Sequence, residues 1–146
     1  MIQDRRKHMT DKEQLYASLM ASAIAAREYS YSPYSGYCVG AALLGADGNI
    51  YTGCNIENAG YTPTNCAERT AVFKAVSEGV REFCAIAVVG GSGETLDAAC
   101  TPCGVCRQVL AEFCEPHMPV ILGTPEEMRV MTLGELLPFA FTKKNL

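Results

Sequence analysis

The stretch NCAERTAVFKAVSEG, Asn65 to Gly79, decides how the chain folds. From Cys66 to Glu78 it predicts a helix, because Ala67, Ala71 and Ala75 recur at helical spacing on one face. Small residues on that face let the helix lie close against a sheet. Gly79 supplies the stop. The opening is less ordinary: a cysteine, an alanine, a glutamate and an arginine fill the first turn. A second stretch, CTPCGVCRQVL from Cys100 to Leu110, repeats the theme. Pro102 suits the first turn of a helix, and Val105, Val109 and Phe113 give that helix an apolar face.

The segments around these two helices read as strands. CVGAALLGA, Cys38 to Ala46, is a nearly continuous apolar run, as expected of a strand buried on both faces. Asp47 and Gly48 then signal a hairpin turn, with NIYTGCNI as the returning strand and residues 57–65 as a loop. FCAIAVVGG, Phe83 to Gly91, is a second buried strand, followed by a loop over residues 92–101. PVILG, Pro119 to Gly123, is a short strand, EEMRVMT a last one, and LGELLPFAF a short helix and tail. At the front, TDKE from Thr10 to Glu13 has the form of a capping box. The helix it starts places Leu15, Leu19, Ala23 and Ala26 on one face and ends near Ser30, before Pro33 and Gly36. Residues 1–9 are polar and expected to form a flexible extension, with 10–146 a single domain. The order of elements argues an α/β fold with helices on both sides of a mixed sheet. In such sheets ligands bind past the strand ends, at helix N-termini, and both cysteine motifs sit at expected helix starts.

Bulk properties narrow the function. The chain has 146 residues, 49% hydrophobic and 19% charged, which fits one folded core. The net charge is -4, without the basic stripe that phosphate neutralisation demands of a nucleic-acid binder. A small substrate is favoured. Eight cysteines are many for this length. The start of the chain has no apolar secretory segment, and no run is long enough to span a bilayer, so neither a disulfide scaffold nor a membrane protein is expected. Reduced thiols in a cytoplasmic setting make metal binding the better use for clustered ones.

Cys103 and Cys106 have the spacing with which two sulfurs grip one tetrahedral ion, and Cys66 can supply a third from the other helix. Three thiolates on zinc leave a net charge of -1, which two helix N-termini and Arg69 would temper. Three protein ligands leave a fourth position for a water molecule. Glu68, two residues beyond Cys66, is placed to take that water's proton. A rival reading stays open on spacing alone. Cys100 precedes Cys103 by the same interval that separates Cys103 from Cys106, and a fourth thiolate would close the site into a structural knot.

These motifs together resemble the small cytidine deaminase family. The likeness runs through SPYSGYCVGAAL, GCNIENAGY, CAERTA, TPCGVCRQV and ELLPFAF, and covers almost everything from Tyr16 to Phe141. It implies a three-layer sandwich, a five-stranded mixed sheet between helices, assembled as a homotetramer with shared active sites. It implies one Zn2+ per subunit on Cys66, Cys103 and Cys106, with Arg69 tuning the charge. Activated water would attack C4 of cytosine while Glu68 protonates the neighbouring ring nitrogen and later the departing ammonia. Cytidine and 2'-deoxycytidine would give uridine and 2'-deoxyuridine, a step of pyrimidine salvage. Asn55 and Glu57 would hold the sugar hydroxyls; Tyr37, Tyr61 and Phe141 would frame the nucleoside, the last two from neighbouring subunits. An aminonucleoside antibiotic deaminase would share the zinc chemistry, but its substrate gives the Asn55–Glu57 pair less to do. Of the other cysteines, Cys84 and Cys114 read as small core residues.

Overall fold

The structure is a computed structural model and describes residues 9–146. The expected extension over 1–9 therefore lies outside the described residues, apart from Met9. Helix α1 (Asp11–Arg27) opens with the anticipated capping box, Thr10 and Glu13 each bonding the other's backbone N–H. Strands β1 (Tyr37–Gly45) and β2 (Ile50–Cys54) form the hairpin, and helix α2 (Ala67–Ser77) follows. Next come β3 (Phe83–Ser92), α3 (Gly104–Phe113), β4 (Pro119–Gly123), β5 (Met128–Thr132) and the short α4 (Leu133–Leu136). The strands form one five-stranded sheet in the order β2-β1-β3-β4-β5. Only β3 and β4 are parallel; the other pairs run antiparallel.

The sheet is covered on both faces, which explains its apolar runs. Val39, Ala41 and Leu43 of β1, with Ile86 and Val88 of β3, pack on Ala67, Ala71, Val72 and Ala75 of α2 and Leu110 of α3. The alternate positions Ala42, Ala85, Ala87 and Val89 meet Leu19, Met20 and Ala23 of α1 on the other side. Leu19 and Met20 are fully buried there, and burial of such side chains stabilises by roughly 1.5–3 kcal/mol each. Two glycines set how close the helices come. A Cβ on Gly40 would meet the backbone of Ala23 and Arg27, and one on Gly53 would lie 2.6 Å from Ala71 N and strike the Ala67 carbonyl.

The register gathers one end of the sheet. Tyr37 at the start of β1 pairs with Ser92 at the end of β3, and Cys54 at the end of β2 pairs with Gly40. The segment that follows β2, the start of β1 and the loop from β3 to α3 therefore share that end. The starts of α2 and α3 come to the same place.

Three sequence expectations are corrected in detail. Helix α1 ends at Arg27, three residues early, and buries Tyr16 and Met20 while Leu15 stays exposed. In α3 the buried residues are Cys106 and Leu110; Val105 is exposed, because the metal-type cysteine occupies the inward position of the first turn. Cys84 is exposed on β3, not a core residue, whereas Cys114 packs against the core.

Candidate active site

Cys66 is the N-cap of α2 and Cys103 the N-cap of α3, with Pro102 buried just before it. Neither cap makes a side-chain hydrogen bond to its helix, so first-turn N–H groups and the positive ends of both helix dipoles stand beside the sulfurs. Cys106 lies one turn into α3 and is fully buried. The three sulfurs lie within 4.8 Å of one another. Cys66 Sγ is 3.7 Å from Cys103 Sγ, which is 3.6 Å from Cys106 Sγ. A tetrahedral zinc with bonds of about 2.3 Å would hold its sulfurs about 3.8 Å apart, so the cluster fits that ion. Cys100 is not a member: its sulfur packs over Gly90 of β3, where a Cβ would come within 2.6 Å of it. The four-thiolate knot thus has no support in the geometry.

Arg69 Nη2 lies 3.3 Å from Cys66 Sγ, while its Nε is buried without a partner. The guanidinium thus brings a positive charge against the Cys66 sulfur. The Cys66 thiol is lowered by its hydrogen bond with Cys106 and by Arg69; the Cys106 thiol is raised by that same bond and by burial. Glu68 is the second residue of α2, in its first turn, and is only 4% exposed. Burial raises its pKa, against the opposing pull of its own backbone N–H and the Cys106 thiol.

A cleft of about 240 Å³ opens onto these groups, lined by Tyr37, Val39, Asn55, Glu57, Cys66, Glu68, Cys100 and Cys103, with Ser35, Thr64, Asn65, Ala67 and Thr101. Its size sits just below that of pockets for drug-sized ligands, roughly 300–1,000 Å³, and suits a compact molecule. Asn55 and Glu57 follow β2 on a segment stitched to both sides. Ile56 exchanges backbone bonds with Asn65, and Tyr31 bonds Asn55 O and Glu57 N–H. Much of the hydrogen-bonding capacity of this pair is already used. Asn55 Oδ1 accepts from Val39 N–H and the Ser30 hydroxyl, and its Nδ2 donates to Tyr37 O, leaving one amide hydrogen. Glu57 accepts from Tyr34 N, Ser35 N and, at 2.5 Å, the Ser35 hydroxyl. Those bonds, the Ser35 hydroxyl first, hold its carboxyl below the usual range, and about one acceptor position remains.

The structure does not bring every expected residue into this cleft. Tyr61 is 86% exposed and lines a shallow neighbouring depression with Tyr34, Asn58 and Glu57. Phe141 is exposed near the C-terminus, its carbonyl accepting from Gln108. Sequence reasoning missed Ser35 and Thr64. Both stand in polar loops, where one hydroxyl more gives no signal.

The chain matches a family model described as the cytidine and deoxycytidylate deaminase zinc-binding region over residues 13–122. It is 54% identical over 129 residues to a cytidine deaminase of Sporosarcina psychrophila, covering 88% of this chain and 92% of that protein. It is 51% identical to one of Halalkalibacterium halodurans, over 88% of this chain and 95% of the other. A crystal structure of a cytidine deaminase from Burkholderia pseudomallei superposes with a TM-score of 0.78 at 46% identity, covering 91% of this chain and all of that one. One from Mycobacterium tuberculosis gives 0.73 at 38% identity, over 91% and 98%.

Proposed function

The chain belongs to the cytidine and deoxycytidylate deaminase family, and we propose that it is a zinc-dependent hydrolase of nucleosides. It converts cytidine and 2'-deoxycytidine, with water, to uridine and 2'-deoxyuridine plus ammonia. One observation carries this reading: three sulfurs at tetrahedral spacing, with a buried glutamate two residues beyond the first, facing one small cleft.

Cys66, Cys103 and Cys106 hold the metal, and Arg69 and the two helix starts offset the thiolate charge. Bound there, zinc is a Lewis acid that brings the pKa of a water molecule down to about 7. Glu68 moves the protons. Its raised pKa suits a group that must both accept and return a proton near neutrality. It takes the proton of the attacking water and passes it to the ring nitrogen beside C4. It then takes the remaining proton from the new C4 hydroxyl and hands it to the amino nitrogen, so that C4=O forms, the C4–N bond breaks and ammonia leaves.

Glu57 and Asn55 each keep one hydrogen-bonding position for the sugar, and both are already fixed by the backbone around them. Contacts aimed at hydroxyls common to ribose and deoxyribose accept either sugar. The lining residues include Glu57 but neither Lys nor Arg, so this chain's own lining offers a 5'-phosphate no cationic partner. This favours the nucleoside over the nucleotide.

We further infer a homotetramer with shared sites, in the cytoplasm, serving pyrimidine salvage. Tyr61, Phe139 and Phe141 are large and exposed, as expected of residues that complete a neighbour's cleft or cover its surface. No helix among the described residues is long and apolar enough to cross a membrane.

The test is the ultraviolet spectrum of cytidine mixed with zinc-loaded protein, beside the Glu68→Ala variant. Wild type should shift the spectrum to that of uridine. The variant should keep its zinc and lose at least about 10²–10⁴-fold in rate, the usual contribution of a general acid–base group. Glu68→Ala activity within a few-fold of wild type would remove Glu68 from the mechanism.

A further inference from the structure

Asp97 lies outside every motif that carries the chemistry, yet it touches the wall of the cleft. Its Oδ2 accepts a hydrogen bond from the Tyr37 hydroxyl at 2.7 Å. Tyr37 opens β1, and its side chain lines the cleft with Val39, Glu68 and Cys100. Asp97 arrives from the loop between β3 and α3, and that loop is held at several points. Asp97 N–H donates to Gly90 O at 2.8 Å. Arg27, a buried cation in the last turn of α1, donates to the carbonyls of Gly91, Gly93 and Thr95 at 2.7, 2.6 and 3.2 Å. The same guanidinium donates to Cys38 O at 2.9 Å, next to Tyr37. One cation therefore fixes both the backbone beside Tyr37 and the loop that delivers Asp97. Burial and the bond to Asp97 raise the Tyr37 pKa, so its hydroxyl remains a donor at neutral pH.

We propose that Asp97 is a positioning residue of the substrate cleft, tying the far end of Tyr37 so that its ring stands as a fixed wall for the nucleoside. The inference rests on the nucleoside deaminase reading. A phenol fixed before binding loses no rotamer freedom when the substrate arrives, so the pair acts on binding and not on the chemical step. Its effect belongs in KM.

The experiment is a double-mutant cycle on the zinc-loaded protein with cytidine: Asp97→Ala, Tyr37→Phe and both together. Each single change should raise KM about three- to ten-fold, the range for one lost hydrogen bond, with kcat within about two-fold. The double variant should be no worse than either single one, because both remove the same tie. Asp97→Asn, which keeps an acceptor oxygen, should recover most of the loss. Unchanged KM in the single variants, KM effects that multiply in the double, or a loss confined to kcat would each overturn the proposal. Should Asp97→Ala fail to fold, Tyr37→Phe decides alone, since it deletes only the hydroxyl. Wild-type protein that leaves cytidine unchanged would instead defeat the deaminase reading, and the role of Asp97 would fall with it.

Discussion

The chemistry of this chain rests on which cysteine is where. Eight thiols share one small domain, all of them free, and three converge. Cys66, Cys103 and Cys106 are brought together by two helix starts, while Cys100 is turned onto Gly90 by the loop before Pro102. The difference is the difference between an open site and a closed one. Cys100→Ser should therefore leave the zinc content of purified protein at one equivalent and its resistance to chelator within about two-fold, whereas Cys66→Ala should strip the metal. Equal loss of zinc in both variants would restore the four-thiolate reading. Spacing alone could not make this choice, because Cys100 and Cys106 lie the same distance in sequence from Cys103. Backbone direction at Pro102 decides it, and that is a property of the folded loop. Asp97 was illegible for the same reason: a single acidic residue in a polar loop carries no pattern, and its partner is 60 positions away.

At the scale of elements, the site depends on how closely α2 approaches β2. Gly53 allows that approach, since any side chain there would meet the Ala67 carbonyl and Ala71 N in the first turns of α2. Gly53→Ala should lower stability by about 1–3 kcal/mol, the usual penalty for overpacking, read from the denaturant midpoint. It should also weaken zinc retention, because Cys66 and Glu68 ride on the displaced turn. An unchanged midpoint would mean that α2 is not seated by this contact. Here the sequence was a good guide. Ala67, Ala71 and Ala75 carry helical spacing and small size together, and all three are fully buried. The continuous apolar runs of β1 and β3 likewise announced strands covered on both faces. The valine pattern of α3 misled, because hydrophobic spacing does not say what covers an apolar face. Val105 points away from the core, and Cys106 takes the inward place. Leu15 on α1 is a second instance.

At the scale of the whole molecule, the cleft is built from one chain but framed by fewer aromatics than the sequence led one to expect. Tyr37 lines it; Tyr61 and Phe141 do not. The proposed tetramer with shared sites would account for this, and it predicts a solution mass four times the 15.7 kDa of the chain by light scattering. It also predicts complementation. If Phe141 serves a neighbour's cleft, Phe141→Ala and Glu68→Ala subunits, each impaired alone, should regain part of the activity when unfolded together and reassembled with zinc. Mixed oligomers without any gain would place Phe141 outside the site.

Turnover in this chain depends on an open zinc site held by three thiolates beside a proton-carrying glutamate. X-ray absorption at the zinc edge of the loaded protein reads that coordination. Three sulfur neighbours at about 2.3 Å and one lighter oxygen neighbour at about 2.0 Å are expected. Four sulfurs and no light neighbour would contradict it, leaving Glu68 without a water to act on.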